Sequence, residues 1–299
     1  MNSAKKSAFV AVIGRPSVGK STLVNRLCGA KVAIVSPVPQ TTRNAIRGIV
    51  TRPEGQLVFV DTPGRHDSER KLNRHLLEVS DRAIQEAEIM LYIMDASRPI
   101  GLEEEAIAER VIPFADRTIA AINKSDIGTA DCDGYREFLH RRLPQIPEAG
   151  CFTISALKKE GLDPLLAGLF ARAGEGPPFY PEEYYTDQNL SFRIAEIIRE
   201  KALNRLYEEL PHALYVEVAD TELRDNETRL WVRAFIITER ESQKGMIVGK
   251  GGGMIKAIRL AAQKELNQIF DWKVELDLRV KSSRDWRHND KLLKKLFDL

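Results

Sequence analysis

In the first half of the chain, short apolar runs alternate with amphipathic stretches. Residues 8–13, 57–60, 89–94, 118–122 and 151–154 are nearly continuous apolar segments, the pattern of strands buried on both faces. Between them, 72–87, 103–112 and 135–143 space their apolar residues as amphipathic helices do. Strands alternating with helices predict an α/β domain, a mostly parallel sheet with helices on both faces. The alternation stops near Ala173. Residues 174–181 read GEGPPFYP, too rich in Gly and Pro for a helix or a central strand. A first domain is therefore expected over 1–175, a linker over 176–190 and a second domain over 191–299.

The second domain has a different order of elements. A helix is expected over 192–209, then strands at 213–219 and 228–237 joined by a polar turn at 224–227. A Gly-rich turn follows, then a helix over 253–267 and a strand over 272–280. In that last strand Val274, Leu276, Leu278 and Val280 alternate with charged residues, the half-buried pattern of antiparallel sheets. This is a small α+β domain. There is no internal repeat and no low-complexity segment.

The composition, 43% hydrophobic and 29% charged over 299 residues, excludes wholesale disorder and fibrous structure. The early apolar run 8–13 ends at Gly14 and Arg15, too short for a membrane span or a signal-peptide core, so a cytoplasmic protein is expected. Cys28, Cys132 and Cys151 are far apart and read as small core residues rather than a disulfide framework or a zinc site. The five histidines share no ligand spacing, and no zinc is expected. The net charge of +2 conceals a pattern. Residues 1–50 hold eight basic side chains and no acidic one, 181–243 carry a net −6, and 244–299 a net +6. Anionic partners are plausible at two places.

The first place contains the strongest motif. Gly14-Arg15-Pro16-Ser17-Val18-Gly19-Lys20-Ser21, followed by Thr22, is a complete G-x-x-x-x-G-K-[ST] between a strand and a helix. Glycines let the backbone curl its N–H groups toward phosphates, and the helix N-terminus adds positive potential. Lys20 reaches the β and γ phosphates, and Ser21 ligates Mg²⁺. Three further segments fall at strand ends in the order a GTPase needs. Asp61-Thr62-Pro63-Gly64 places Asp61 to hold the Mg²⁺ water shell and Gly64 to offer an N–H to the γ-phosphate. In Asn123-Lys124-Ser125-Asp126 the Asp126 carboxylate only accepts, matching the two donors on guanine's edge. Ser155-Ala156-Leu157 completes the base loop through backbone contacts. GTP and GDP are the expected ligands.

The second place holds Ile247-Val248-Gly249-Lys250-Gly251-Gly252, a G-x-x-G loop between two helices. In the order helix, strand, strand, helix, G-x-x-G, helix, strand, it is that of a type II KH domain. Such a loop, free of bulky side chains, lets a sugar-phosphate backbone approach while bases lie in an apolar groove. Lys244, Lys250, Lys256 and Arg259 are candidate phosphate contacts, and Ile247, Val248 and Ile255 candidate groove residues. Trp231, Trp272 and Trp286 read as core before they read as base-stacking platforms. The acidic run Glu103 to Glu105 suits the N-terminal dipole of its helix.

These motifs resemble the translation-factor-related class of P-loop GTPases. With Pro39-Gln40-Thr41-Thr42-Arg43 as a switch and the G-K-G-G loop behind it, the chain from about Phe9 to Trp286 resembles the Era family of bacterial ribosome-assembly GTPases. The resemblance implies that Thr42, with Thr41 as fallback, closes on Mg²⁺ and the γ-phosphate. It also implies the 3′ end of small-subunit ribosomal RNA and the small ribosomal subunit as partners. It further implies loose association with the cytoplasmic face of the membrane, and a monomer is expected. Ser17 stands where these GTPases often carry Asn, a residue that helps hold a monovalent cation in related enzymes. Arg65 stands where Ras-like enzymes carry a water-orienting Gln, so slow intrinsic hydrolysis is expected. The stretch 286–299, with Leu292, Leu293, Leu296 and Phe297 beside Lys291, Lys294 and Lys295, reads first as a helix packing on its own domain and second as a surface helix touching lipid or RNA. Two alternatives stand beside the RNA-binding switch: a membrane-recruited signalling GTPase whose second domain binds protein or lipid, and an RNA-binding scaffold that holds GTP and barely hydrolyses it.

Overall fold

The computed structural model describes residues 5–38, 41–62, 71–284, 286–289, 292, 293 and 296. Its contacts divide the chain into two units, Met1–Ala33 with Thr42–Asp187, and Ile34–Thr41 with Gln188–Leu299.

The first unit is built on β1 (Lys6–Ile13), α1 (Lys20–Cys28), β2 (Ile46–Arg52), β3 (Gly55–Asp61), α2 (Lys71–Glu86), β4 (Ile89–Asp95), α3 (Leu102–Val111), β5 (Thr118–Asn123), α4 (Cys132–Arg142), β6 (Cys151–Thr153), α5 (Leu162–Arg172) and β7 (Gly174–Glu175). The strand order is β2-β3-β1-β4-β5-β6. β1 lies parallel to β3 and β4, and β4, β5 and β6 continue in parallel. The expected apolar runs become strands because both faces are covered. Leu23, Val24, Leu27, Leu165 and Leu169 pack on one face, and Ile84, Ile107, Val111, Phe138 and Leu139 on the other. Two strands are additions to the expected set. β2 pairs antiparallel with β3 at the sheet edge, and β7 pairs antiparallel with β1. The Gly- and Pro-rich stretch after β7 is also held here. Tyr180 N donates to Gln56 Oε1 and Gln56 Nε2 to the Tyr180 carbonyl, each at 2.9 Å. The three cysteines are half-buried against these cores rather than enclosed in them, and burial pushes the Cys28 thiol up to about 12.

The second unit comprises α6 (Leu190–Leu203), β8 (Leu214–Arg224), β9 (Arg229–Thr238), α7 (Glu241–Val248), α8 (Gly253–Ile269) and β10 (Lys273–Ser282). The sheet order is β10-β9-β8. β8 and β9 form an antiparallel hairpin, whereas β10 runs parallel to β9. The antiparallel-style pattern read in β10 is therefore corrected in direction. Two helices lie between β9 and β10, and a crossover of that length returns the chain in the same direction. The alternation of β10 was read correctly as half-buried: Val274, Leu276 and Leu278 join Ile194, Ile198, Ile258, Ala262 and Leu266 in one core. Among the described residues no helix is long and apolar enough to cross a membrane.

Trp286 and Leu293 are buried, so the described part of the tail packs inward. The Trp286 indole donates to the Ala213 carbonyl at 3.1 Å, and its ring centre lies 4.8 Å from that of Tyr215. Truncating a fully enclosed Trp removes packing and leaves the Ala213 carbonyl unpaired, a loss of about 3–5 kcal/mol. Trp286→Ala is expected to lower the unfolding midpoint of the second unit in a denaturant titration followed by circular dichroism.

Candidate nucleotide site and RNA-binding loop

The loop between β1 and α1 is held by two glycines that admit no side chain. A Cβ on Gly14 would lie 2.3 Å from the Ile93 carbonyl oxygen of β4. One on Gly19, at φ 103°, would lie 2.5 Å from Asn123 Nδ2. α1 begins without a side-chain cap, so its first N–H groups remain for an anion. Lys20 is buried; its Nζ donates to the carbonyls of Gly14 at 2.9 Å and Arg15 at 3.0 Å. Burial lowers its pKa, opposed by the carboxylates of Asp61 and Glu104. Val18 is enclosed in the core, and Ser17 sits exposed in the left-handed region at φ 62°. Arg15 departs from expectation. Its side chain is buried against Glu104 of α3, Nε to Oε2 at 2.5 Å, so it offers a ligand its backbone and not its charge.

Ser21, Thr42 and Asp61 converge. Ser21 Oγ donates to Asp61 Oδ2 at 2.6 Å and lies 3.1 Å from Thr42 Oγ1, which is 3.4 Å from the same Asp61 oxygen. Asp61 is fully buried, and its Oδ1 has no hydrogen-bond partner among the described residues. A buried carboxylate oxygen left unpaired beside two hydroxyls suits a hard divalent cation such as Mg²⁺. Burial raises the Asp61 pKa, opposed by the Lys20 charge and by hydrogen bonds from Ser21 and Thr42. Thr41 points elsewhere, donating through Oγ1 to the Val38 carbonyl at 2.5 Å. The Thr62 hydroxyl is taken up by the Val12 carbonyl at 2.8 Å. Pro39, Gln40, Pro63, Gly64 and Arg65 lie outside the described residues.

At the other end of the cleft, Asn123 joins two loops. Its Nδ2 donates to the Val18 carbonyl at 2.8 Å, and its Oδ1 accepts from Ala156 N at 3.0 Å. Asp126 is exposed, steered by a 2.6 Å hydrogen bond from Ser155 Oγ to its Oδ1. Ser155 and Ala156 are buried, while Leu157 is 63% exposed. Lys124, at φ 65°, donates to Asp95 Oδ2 at 2.6 Å. Asp95, buried at the carboxyl end of β4, was not foreseen. Its position at the end of an apolar strand is the signal that could have found it.

In the second unit, α7 ends at Val248, with Gly249 as its C-cap, and α8 starts at Gly253. Gly251 and Gly252 have φ of 59° and 75°, and a Cβ on either would meet no atom within 4 Å. The loop thus presents bare backbone to open space. Lys250 and Lys256 are exposed beside it. Lys244 is engaged, its Nζ 2.8 Å from Glu241 Oε1. Ile247 is a correction: at 0% exposure it belongs to the domain core and cannot line an open groove. Val248 is half-buried. The exposed apolar side chains near the loop are Met246 and Leu260, missed because periodicity alone did not say which faces of α7 and α8 are covered.

A phosphate loop, a hydroxyl–carboxylate cluster and an Asn/Asp base loop on the carboxyl edge of a parallel sheet define a P-loop GTPase, here followed by a KH fold. Residues 9–124 match the family model described as 50S ribosome-binding GTPase, and residues 209–287 match the KH domain model. The chain is 49% identical over 290 residues to the GTPase Era of Treponema denticola, covering 97% of this chain and 99% of that one. To the GTPase Era of Borreliella burgdorferi it is 44% identical, covering 98% and 100%. The chain belongs to the Era family of GTPases. Among solved structures it is similar to Era in complex with MgGDPNP and nucleotides 1506–1542 of 16S ribosomal RNA, with a TM-score of 0.92 and 35% identity over 98% of both chains. It is also similar to a variant of Aquifex aeolicus Era bound to GDP·AlF4⁻, with a TM-score of 0.91 and 34% identity over 98% of both.

Changing Asp126→Asn replaces an acceptor by a donor facing the base edge. The variant is expected to lose guanine-nucleotide affinity by about a hundredfold or more and to gain preference for xanthine nucleotides. Competition between GTP and XTP in a fluorescent-nucleotide titration measures this, and unchanged GTP affinity would refute the assignment of the base.

Proposed function

We propose that this GTPase is a guanine-nucleotide switch that binds the 3′ end region of small-subunit ribosomal RNA and assists assembly of the small ribosomal subunit. The observation that carries the reading is the open Gly249–Gly252 loop, flanked by exposed Lys250 and Lys256, in the same chain as the nucleotide site. The RNA bound by the similar Era structure, nucleotides 1506–1542 of 16S ribosomal RNA, supports the choice of RNA.

In this reading the N–H groups of Gly14 to Ser21 and the N-terminus of α1 cradle the phosphates, and Lys20 balances charge developing between the β and γ groups. Ser21, Thr42 and Asp61 would hold Mg²⁺, which would neutralise phosphate oxygens. Asn123 holds the phosphate loop against the base loop, and Asp126, aimed by Ser155, accepts from guanine. Phosphoryl transfer to water asks little covalent chemistry of the protein, so positioning by these groups is the catalytic contribution. The products are GDP and phosphate. RNA contact falls to the backbone of Gly249, Gly251 and Gly252 and to Lys250 and Lys256, with Val248 toward the bases. The packed Trp286 and Leu293 favour a tail that completes its own domain over one that seeks lipid.

The test is the affinity for an oligonucleotide of the small-subunit rRNA 3′ end against a scrambled control, at fixed salt, with GDP and with a non-hydrolysable GTP analogue. Tighter, sequence-selective binding in the GTP-like state is expected; absence of RNA binding in both states would overturn the reading. Gly251→Asp places a negative side chain in the open space above the loop and is expected to abolish RNA binding with GTP hydrolysis intact. Retention of tight RNA binding by this variant, measured by filter retention, would count against the loop.

A further inference from the structure

The side chain of Arg15 sits in the phosphate loop and points away from where phosphates would lie. It is 4% exposed and Glu104 is 0% exposed. Besides the 2.5 Å ion pair with Glu104, in which Nε makes no hydrogen bond, Arg15 Nη2 donates to Tyr135 Oη at 2.7 Å and Nη1 to the Pro99 carbonyl at 3.4 Å. Glu104 is itself held: Tyr92 Oη donates to its Oε1 at 2.5 Å, and Tyr135 Oη lies 3.5 Å from its Oε2. The guanidinium is thus fixed by α3, by α4 and by the chain leading into α3. Tyr92 and Tyr135 are also buried, and only Pro99, at the edge of the cluster, is exposed.

A buried ion pair contributes little net stability, since desolvation offsets attraction and apolar groups of similar volume pack at least as well. What a planar guanidinium held by two hydrogen bonds and a buried counter-charge supplies is direction. The residue it directs is the one after Gly14, whose own backbone is pressed against the Ile93 carbonyl, and whose carbonyl, with that of Gly14, accepts the hydrogen bonds of Lys20 Nζ.

We propose that Arg15 is a positioning residue for phosphate binding, acting through its backbone, with Glu104 as the buried counter-charge that holds it. The pair sets the curvature of the phosphate loop from behind, and the positive charge available to the phosphates is that of Lys20. Plain electrostatics makes the opposite forecast for Glu104. Removing an anion near a triphosphate site tightens GTP binding by charge alone, whereas loss of positioning weakens it.

The experiment compares Glu104→Gln, Arg15→Lys and the double variant Arg15→Met/Glu104→Leu in the full chain with Mg²⁺. Fluorescent GTP titration, the division of steady-state turnover between kcat and KM, and thermal unfolding are the readouts. Glu104→Gln keeps the volume and, through its amide oxygen, the hydrogen bond from Tyr92, and Glu104 is too deeply enclosed to touch nucleotide. Its GTP affinity is expected to fall about tenfold or more, the scale of a small misplacement of binding groups, with KM rising in step. Arg15→Lys keeps the charge and loses the fork, and is expected to fall comparably. The double variant removes both buried charges and is expected to regain the parental unfolding temperature without regaining affinity. GTP binding as tight as the parent, or tighter, in Glu104→Gln or in the folded double variant would overturn the proposal and leave the pair a packing element.

Discussion

The nucleotide site depends on how closely the backbone of the phosphate loop can approach the sheet. Gly14 lies against a β4 carbonyl, Gly19 against the Asn123 amide, and Asn123 in turn spans the carbonyl of Val18 and the N–H of Ala156. Each contact fills a space a methyl group would need. The loop therefore cannot slide along the sheet edge, and the distance from phosphate end to base end is set by one amide side chain. The cation-binding side chains inherit this frame, because Ser21 follows the loop directly and Asp61 ends the strand beside β1.

Much of this was legible because phosphate chemistry demands fixed spacing. A strand, a Gly-rich turn and a helix within about twenty residues leave few alternatives, and the Asp126 carboxylate declares its base by being only an acceptor. β2 was missed for a physical reason. Its sequence, IRGIVTR, has a glycine at its third position, which reads as a breaker. In the fold a Cβ on Gly48 would lie 2.6 Å from Val24 and 2.8 Å from Cys28, so the glycine is there to let α1 pack. β7 is only two residues long, below what any periodicity can register. The acidic run 103–105 illustrates a different limit. All three residues suit a helix start, yet Glu104 faces inward to meet Arg15, 89 residues earlier, and sequence spacing carries no trace of that partnership.

The second unit was read through its order of elements, which proved more informative than its side chains. Helix, hairpin, helix, loop, helix, strand placed the G-K-G-G segment, while the direction of β10, parallel to β9, was left to the structure because alternation along a strand does not tell its direction. Ile247 was misjudged because proximity to the loop in sequence is not exposure. One turn of helix is enough to bury it in the core. The bare backbone of Gly251 and Gly252, by contrast, follows from residue type alone, since both hold a left-handed conformation that side chains disfavour.

The placement of β1 bears on how the first unit comes into being. This strand opens the unit, yet its neighbours are β3, β4 and β7, and the last of these is contributed near residue 175. A chain leaving the ribosome must wait for β3 before its first strand gains any partner, and for residues 174–175 before Lys6 and Ser7 are paired with β7. Such long loop closures are slow and lose chain entropy before contacts return it. Apolar strand surface is consequently exposed during synthesis, and the stretch from β7 to Tyr180 acts as the closing seam, so truncations ending before it are expected to emerge as aggregation-prone chains rather than as a smaller folded domain.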